Sequence, residues 1–220
     1  MAQSVNPEPF RKFSEFVGDT KLGHIGRDIA SNPKNYVPLS SLREYWTPSR
    51  VSRVLHAFSG DRLDIDVATI RTRYLRTFST LVYTGPDAVR NLQPLFISLN
   101  LTDNSLPWPS RPSAWRNEKF FCDFFKAIRA HQWQFFPLNF RSDQLQDRFV
   151  DDECILPIDP PVQIAHSNTT IIERFDIHSE FNDLDRVCFL RLHLSFVLPV
   201  RSTRDFPALT PVIYRTSRED

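Results

Sequence analysis

The chain has 220 residues, 41% of them hydrophobic and 19 of them phenylalanine, which is enough apolar mass for one domain with a smaller appendage. Its formal net charge of +1 excludes a global attraction for nucleic acid or for an acidic membrane surface. The 27 basic residues divide into five lysines, the last at Lys126, and 22 arginines, and the last of the five glycines is Gly85.

Residues 1–9 are polar and proline-flanked and read as a loose tail. Phe10, Phe13, Phe16 and Val17 have helical spacing, but Gly18, Gly23 and Gly26 follow closely, so residues 1–34 are expected to be a loose N-terminal segment with at most one short helix. Thr47 and Pro48 form a helix start, a capping hydroxyl before proline at the first turn. Val51, Val54, Leu55 and Phe58 give that helix its inner face.

The organising stretch is residues 66–85. Val67, Ile70, Tyr74, Phe78, Leu81 and Val82 recur at three- and four-residue steps, which predicts one amphipathic helix from the cap at Asp66 to the stop at Gly85. Six such side chains supply on the order of 10 kcal/mol of gross burial. A further helical pattern follows from Pro86 to Leu99, with Pro94 as a kink or early stop. Residues 100–112 hold three prolines and Trp108 and read as a connector. Residues 118–133 predict a strong helix with Phe121, Phe124, Phe125, Ile128 and Trp133 as its apolar set, and residues 134–140 run extended past Pro137.

After Cys154 the pattern changes to strands. Residues 162–166 and 171–178 read as a hairpin, and the even positions from Cys188 to Leu198 are all apolar, the best strand signal in the chain. Residues 199–220 show no period and are expected to be disordered. The predicted class is α+β, mostly helical. Its parts are a loose segment 1–34, a helical domain 35–150, a small antiparallel β segment 151–198 and a tail 199–220.

Cys122, Cys154 and Cys188 are odd in number, with no CxxC pair and no disulfide framework, which predicts a reducing compartment. The N-terminus has no apolar signal core, and no run of about 18 apolar residues occurs. The expected location is therefore intracellular, cytoplasmic or nuclear, with no membrane partner.

The phrases YLRTFSTLVYTG (74–85), LNLTDNSLPW (99–108), HQWQFFPLNF (131–140) and CILPI (154–158) occur in this order. Together they resemble the N-terminal region of filamentous-fungal Ser/Thr protein-kinase-like proteins, over roughly residues 35–178. The resemblance implies that the last phrase leads into a kinase N-lobe, with a glycine-rich loop and a strand ending in Ile177-His178. It puts the three loop glycines at Ala165, Ser167 and Thr170, and all three are replaced. Glycine is required there because a Cβ obstructs the close approach of backbone to phosphates. The third strand should bring a lysine to the nucleotide, yet residues 187–198 offer Arg191 and His193, and neither HRD, DFG nor APE occurs.

The resemblance therefore implies a non-catalytic regulatory or interaction region, truncated or degenerate at the glycine-rich loop and inactive alone. Its partner would be a protein or the missing kinase lobe. No catalytic, cofactor or metal residue is expected, and ATP enters only if the full-length protein is a kinase. One alternative is a fragment of an active Ser/Thr kinase whose gene model fails after about Asp185. A second is a helical nucleic-acid-binding module using Arg71, Arg73, Arg76 and Arg90, although arginines on an amphipathic helix ordinarily form a solvated face. Asp151, Asp152 and Glu153 read as an acidic turn, and Cys122 as a small core residue. The six histidines, His24, His56, His131, His166, His178 and His193, show no ligand spacing with the cysteines. Trp108, Trp115 and Trp133 read as packing residues.

Overall fold

The computed structural model describes residues 5–21, 23–28, 30–58, 65–108, 110–116, 118–141, 152–160, 162–166, 171–183, 193–196 and 212–214. The chain is mostly helical with small sheets, the α+β class expected from its periodicities. Two compact units form, one from residues 1–24 and 35–137 and the other from residues 25–34 and 138–220.

The first unit is the helical one. Its first helix, α1 (Glu8–Lys21), corrects the expectation that residues 1–34 are loose. Asn6 Oδ1 accepts from the Glu8 amide at 3.0 Å, and Phe13 and Val17 are fully buried. Gly18 lies inside this helix, because a glycine there costs only about 1 kcal/mol relative to alanine and the buried face outweighs it. Two short helices follow, α2 (Leu39–Tyr45) and α3 (Pro48–Leu55). The cap of α3 is the one its sequence announces, with Thr47 Oγ1 accepting from the Arg50 amide at 3.3 Å.

The organising stretch is two helices, α4 (Val67–Arg73) and α5 (Leu75–Thr84), broken at Tyr74. Asp66 caps the first half through the Ala68 and Thr69 amides at 3.2 and 2.8 Å. The second half has its own cap from a distant residue. Asp103 accepts from the amides of Arg76 and Thr77, each at 2.9 Å, and from Thr77 Oγ1 at 2.7 Å. A continuous helix would commit those amides to carbonyls four residues back; the Asp103 carboxylate takes them instead. Ile70, Tyr74, Phe78, Leu81 and Val82 are nevertheless all buried, so the apolar stripe survives the break.

Next come α6 (Pro86–Val89) and a π-helical turn, Leu92–Ile97, that contains Pro94. The widened turn fits a residue without an N–H to donate, as the kink expectation required. The unit ends with α7 (Lys119–Phe135), two residues longer at its C-terminus than its periodicity suggested. Residues 100–108 form an ordered connector. Buried Gln132 on α7 donates to the Trp108 carbonyl and accepts from the Trp108 amide, both at 3.0 Å, as a neighbouring strand would.

Trp46 sits at the centre of this core. Its ring lies 4.7 Å from Phe13 and 4.9 Å from Phe78, and its indole N–H donates to Ser79 Oγ at 2.9 Å. A second aromatic group joins Phe96, Trp108, Trp115 and Phe124, with Trp108 and Trp115 edge to face at 5.0 Å. Such pairs add about 0.5–1.5 kcal/mol each beyond the area that they bury.

The second unit begins with β1 (Ile25–Arg27) and β2, whose range Pro33–Asn35 ends at the first residue of the helical unit's longer segment. Asp28 holds their turn by accepting from the Asn32 amide at 2.8 Å, with Lys34 at 3.7 Å. Arg27 exchanges two backbone hydrogen bonds with Leu156, at 2.8 and 2.7 Å. A Cβ on Gly26 would run into the Leu156 carbonyl oxygen, so this position requires glycine for the close approach. Two parallel residue pairs join β3 (Phe140–Arg141) to β6 (Asn182–Asp183).

The main sheet has four antiparallel strands in the order β4 (Val162–His166), β5 (Ile171–Arg174), β7 (His193–Phe196) and β8 (Val212–Tyr214). The expected hairpin is present, but β5 stops at Arg174 and Ile177 instead forms an isolated bridge with Ile158. The expected strand over 188–198 is β7 at its centre; residues 188–192 and 197–198 lie outside the described residues. Val212–Tyr214 corrects the expectation of a disordered 199–220 tail, because β8 satisfies its backbone against β7. The rest of that tail lies outside the described residues.

Candidate functional site

The resemblance puts a glycine-rich loop at the β4–β5 hairpin. Ala165 lies in β4 opposite Ile172, just after a register irregularity that follows Gln163. Ser167 and Thr170 lie outside the described residues. Beyond β5, His193 opens β7 and pairs in register with Arg174; Arg191 lies outside the described residues. His178 is tied locally: its backbone N–H donates to the Pro157 carbonyl at 2.9 Å and its Nδ1 accepts from the Glu180 amide at 3.4 Å. These are structural duties.

The arginine stripe is also engaged within the fold. Arg73 donates to Asn100 Oδ1 at 2.6 Å. The Arg76 guanidinium lies 5.6 Å from the Phe136 ring centre, and that of Arg90 lies 5.1 Å from Phe58. Contacts of this kind contribute about 0.5–1 kcal/mol at exposed sites. Arg71 is exposed. Asp152 and Glu153 form an exposed turn, with Asp151 outside the described residues. Among the described residues, no three His, Cys, Asp or Glu side chains are grouped to hold a metal ion.

Cys122 is partly exposed on α7 and Cys154 is buried. His24 packs near Tyr36 and His131 meets Tyr83 edge to face at 5.1 Å. Trp108, Trp115 and Trp133 are all core residues, as their sequence setting suggested.

Two features escaped the sequence reading. The first is Asp103, whose role depends on a tertiary contact 26 residues from Thr77. Burial pushes its carboxyl above the ordinary range, against the two amides, the Thr77 hydroxyl and the Arg76 charge that favour the ionised form. The second is an open groove of about 450 Å³ between α1 and α3, lined by Asn6, Glu8, Pro9, Lys12, Arg53 and His56 over Ala57.

That groove has a fixed frame. Asn6 donates its amide to the Ala57 carbonyl at 2.9 Å, Val5 bridges to Phe58, and Phe10 meets Phe58 edge to face at 6.2 Å. Glu8 and Lys12 form an ion pair at 2.6 Å along α1. The hydrogen bond and charge of Lys12, with Arg11 and Arg53 nearby, hold the Glu8 carboxyl below its ordinary range. At the C-terminal end of α3, Arg53 in its last turn and the cap residue His56 stand three residues apart, both exposed, and neither side chain makes a hydrogen bond or ion pair among the described residues. Their spacing is the one signal that the sequence offered.

Comparison with protein-family models, curated proteins and solved structures finds no match for this chain. Among the described residues, no helix is long and apolar enough to cross a membrane.

Proposed function

We propose that this chain is a non-catalytic regulatory or interaction region of a protein-kinase-like protein, a helical accessory unit followed by a degenerate start of a kinase N-lobe. The observation that supports the reading is the meander β4–β5–β7. Its first two strands flank residues 167–170, where the resemblance puts the phosphate-binding loop, and its third strand pairs beside the second. The residues in those places are Ala165, Ser167 and Thr170, and His193–Phe196 has no lysine. Phosphoryl transfer needs a phosphate clamp, metal ligands and a base together. A helical unit with a rigid aromatic core is suited instead to presenting a surface.

The test is calorimetric titration of the purified chain with Mg-ATP, beside a phosphoryl-transfer assay. The expected result is no ATP binding at millimolar nucleotide and no transfer. Saturable micromolar binding would overturn the reading and favour an active kinase fragment.

A further inference from the structure

We propose that the groove between α1 and α3 docks a phosphorylated segment of a partner protein, with Arg53 and His56 holding the phosphoryl group. The proposal rests on the interaction-region reading and names the chemistry of the partner.

Charge complementarity carries the argument. Of the four charged or titratable side chains in the groove, Glu8 and Lys12 are already paired with each other. Arg53 lies near enough to Glu8 to help lower its carboxyl, yet neither Arg53 nor His56 makes a hydrogen bond or ion pair among the described residues. Side chains three apart on a helix are neighbours, about 5–6 Å between Cβ atoms, which suits two donors converging on the oxygens of one phosphoryl group. The Arg53 guanidinium offers a fork of N–H groups, and the His56 imidazole adds a further N–H donor. A carboxylate would bring one negative charge to this pair, where a phosphoryl group brings nearly two.

Cations in the last turn of a helix also ease its C-terminal carbonyls, and that role explains Arg53 on α3 in isolation. It does not explain the concavity in front of the two side chains. The volume of about 450 Å³ exceeds what an anion alone would fill and leaves room for flanking peptide along Pro9 and Ala57. The walls are held from behind by Phe10 and Phe13 on α1 and by Val51, Val54 and Leu55 on α3, all buried. A rigid floor lowers the cost of ordering a bound segment.

The experiment uses the full chain and a degenerate peptide library fixed only at a central phosphoserine, with the matching serine library and inorganic phosphate as comparisons. Binding is followed by fluorescence anisotropy and by NMR shifts of the Arg53 and His56 side chains. The expected result is retention of phosphopeptides alone, weakening as salt rises, with Arg53→Gln and His56→Gln each lowering affinity roughly tenfold. Both residues are exposed, so circular dichroism of the variants should match the parent.

Equal binding of the serine library, or unchanged affinity in both variants, would overturn the proposal. So would no binding at millimolar peptide. Inorganic phosphate binding as tightly as the phosphopeptides would also overturn it, by making the groove a free-anion site. Each of these outcomes leaves the ATP titration untouched, so failure here is distinguishable from failure of the interaction-region reading.

Discussion

Asp28 shows how one side chain sets a local conformation. Burial opposes its ionisation, but the Asn32 side-chain amide, the Asn32 backbone N–H, Lys34 and the Ala30 N–H outweigh that cost, so its carboxyl sits below the ordinary range. A carboxylate with a depressed folded-state pKa stabilises fully above its unfolded value, about pH 4, and loses that contribution as pH falls through the folded value. The β1–β2 turn is therefore expected to hold its protection of the Asn32 amide, corrected for intrinsic exchange, near neutrality and to lose it in acid. Asp28→Asn should flatten that dependence; a wild-type profile unchanged down to pH 2 would contradict the assignment. Ser31, at φ 64°, adopts the left-handed conformation inside the same turn, where Asp28 N–H also donates to the Asn32 carbonyl at 3.0 Å.

At the scale of elements, the break between α4 and α5 separates what a one-dimensional pattern contains from what it does not. The stripe from Ile70 to Val82 was legible because burial on one helical face leaves a period in the sequence. The capping carboxylate was not, because Asp103 is local to neither helix and carries no positional signature. Asp103→Ala is expected to destabilise the chain by about 1–3 kcal/mol, since two amides and the Thr77 hydroxyl lose their acceptor. Asp103→Asn keeps one acceptor oxygen and should recover part of that loss. Urea unfolding followed by tryptophan emission measures both; an alanine variant within 0.5 kcal/mol of the parent, as a rough bound on surface substitutions, would mean that the cap is idle. The hairpin β4–β5 was legible for the opposite reason, since a two-residue period and a polar turn are local signals. The tail strand β8 had no such pattern, and only its pairing with β7 defines it. The groove was less legible still: Arg53 and His56 share a helical face, but α1 had to be placed before that face became concave.

At the scale of the molecule, the segment that composition marked as expendable supplies a keystone of the helical core. Phe13 on α1 packs against Tyr45 at 5.3 Å, Trp46 at 4.7 Å and Phe135 at 6.0 Å, so one ring ties α1 to two other stretches of chain. It is fully buried, whereas Phe16, three residues on, stacks on Tyr45 at 4.2 Å but remains partly exposed. Removing a buried phenylalanine leaves a cavity that its neighbours only partly fill, at about 3–5 kcal/mol. Native domains have only about 5–15 kcal/mol in total, so Phe13→Ala should remove a large share of the helical unit's stability. All four tryptophans, Trp46, Trp108, Trp115 and Trp133, belong to that unit, so their emission reports on it directly. The expected order of urea midpoints is parent, then Phe16→Ala, then Phe13→Ala well below both. If Phe13→Ala and Phe16→Ala lose equal stability, the ring joins nothing that matters and α1 is an appendage after all. The predicted gap is what makes α1 part of the core, and with it the wall that faces Arg53 and His56.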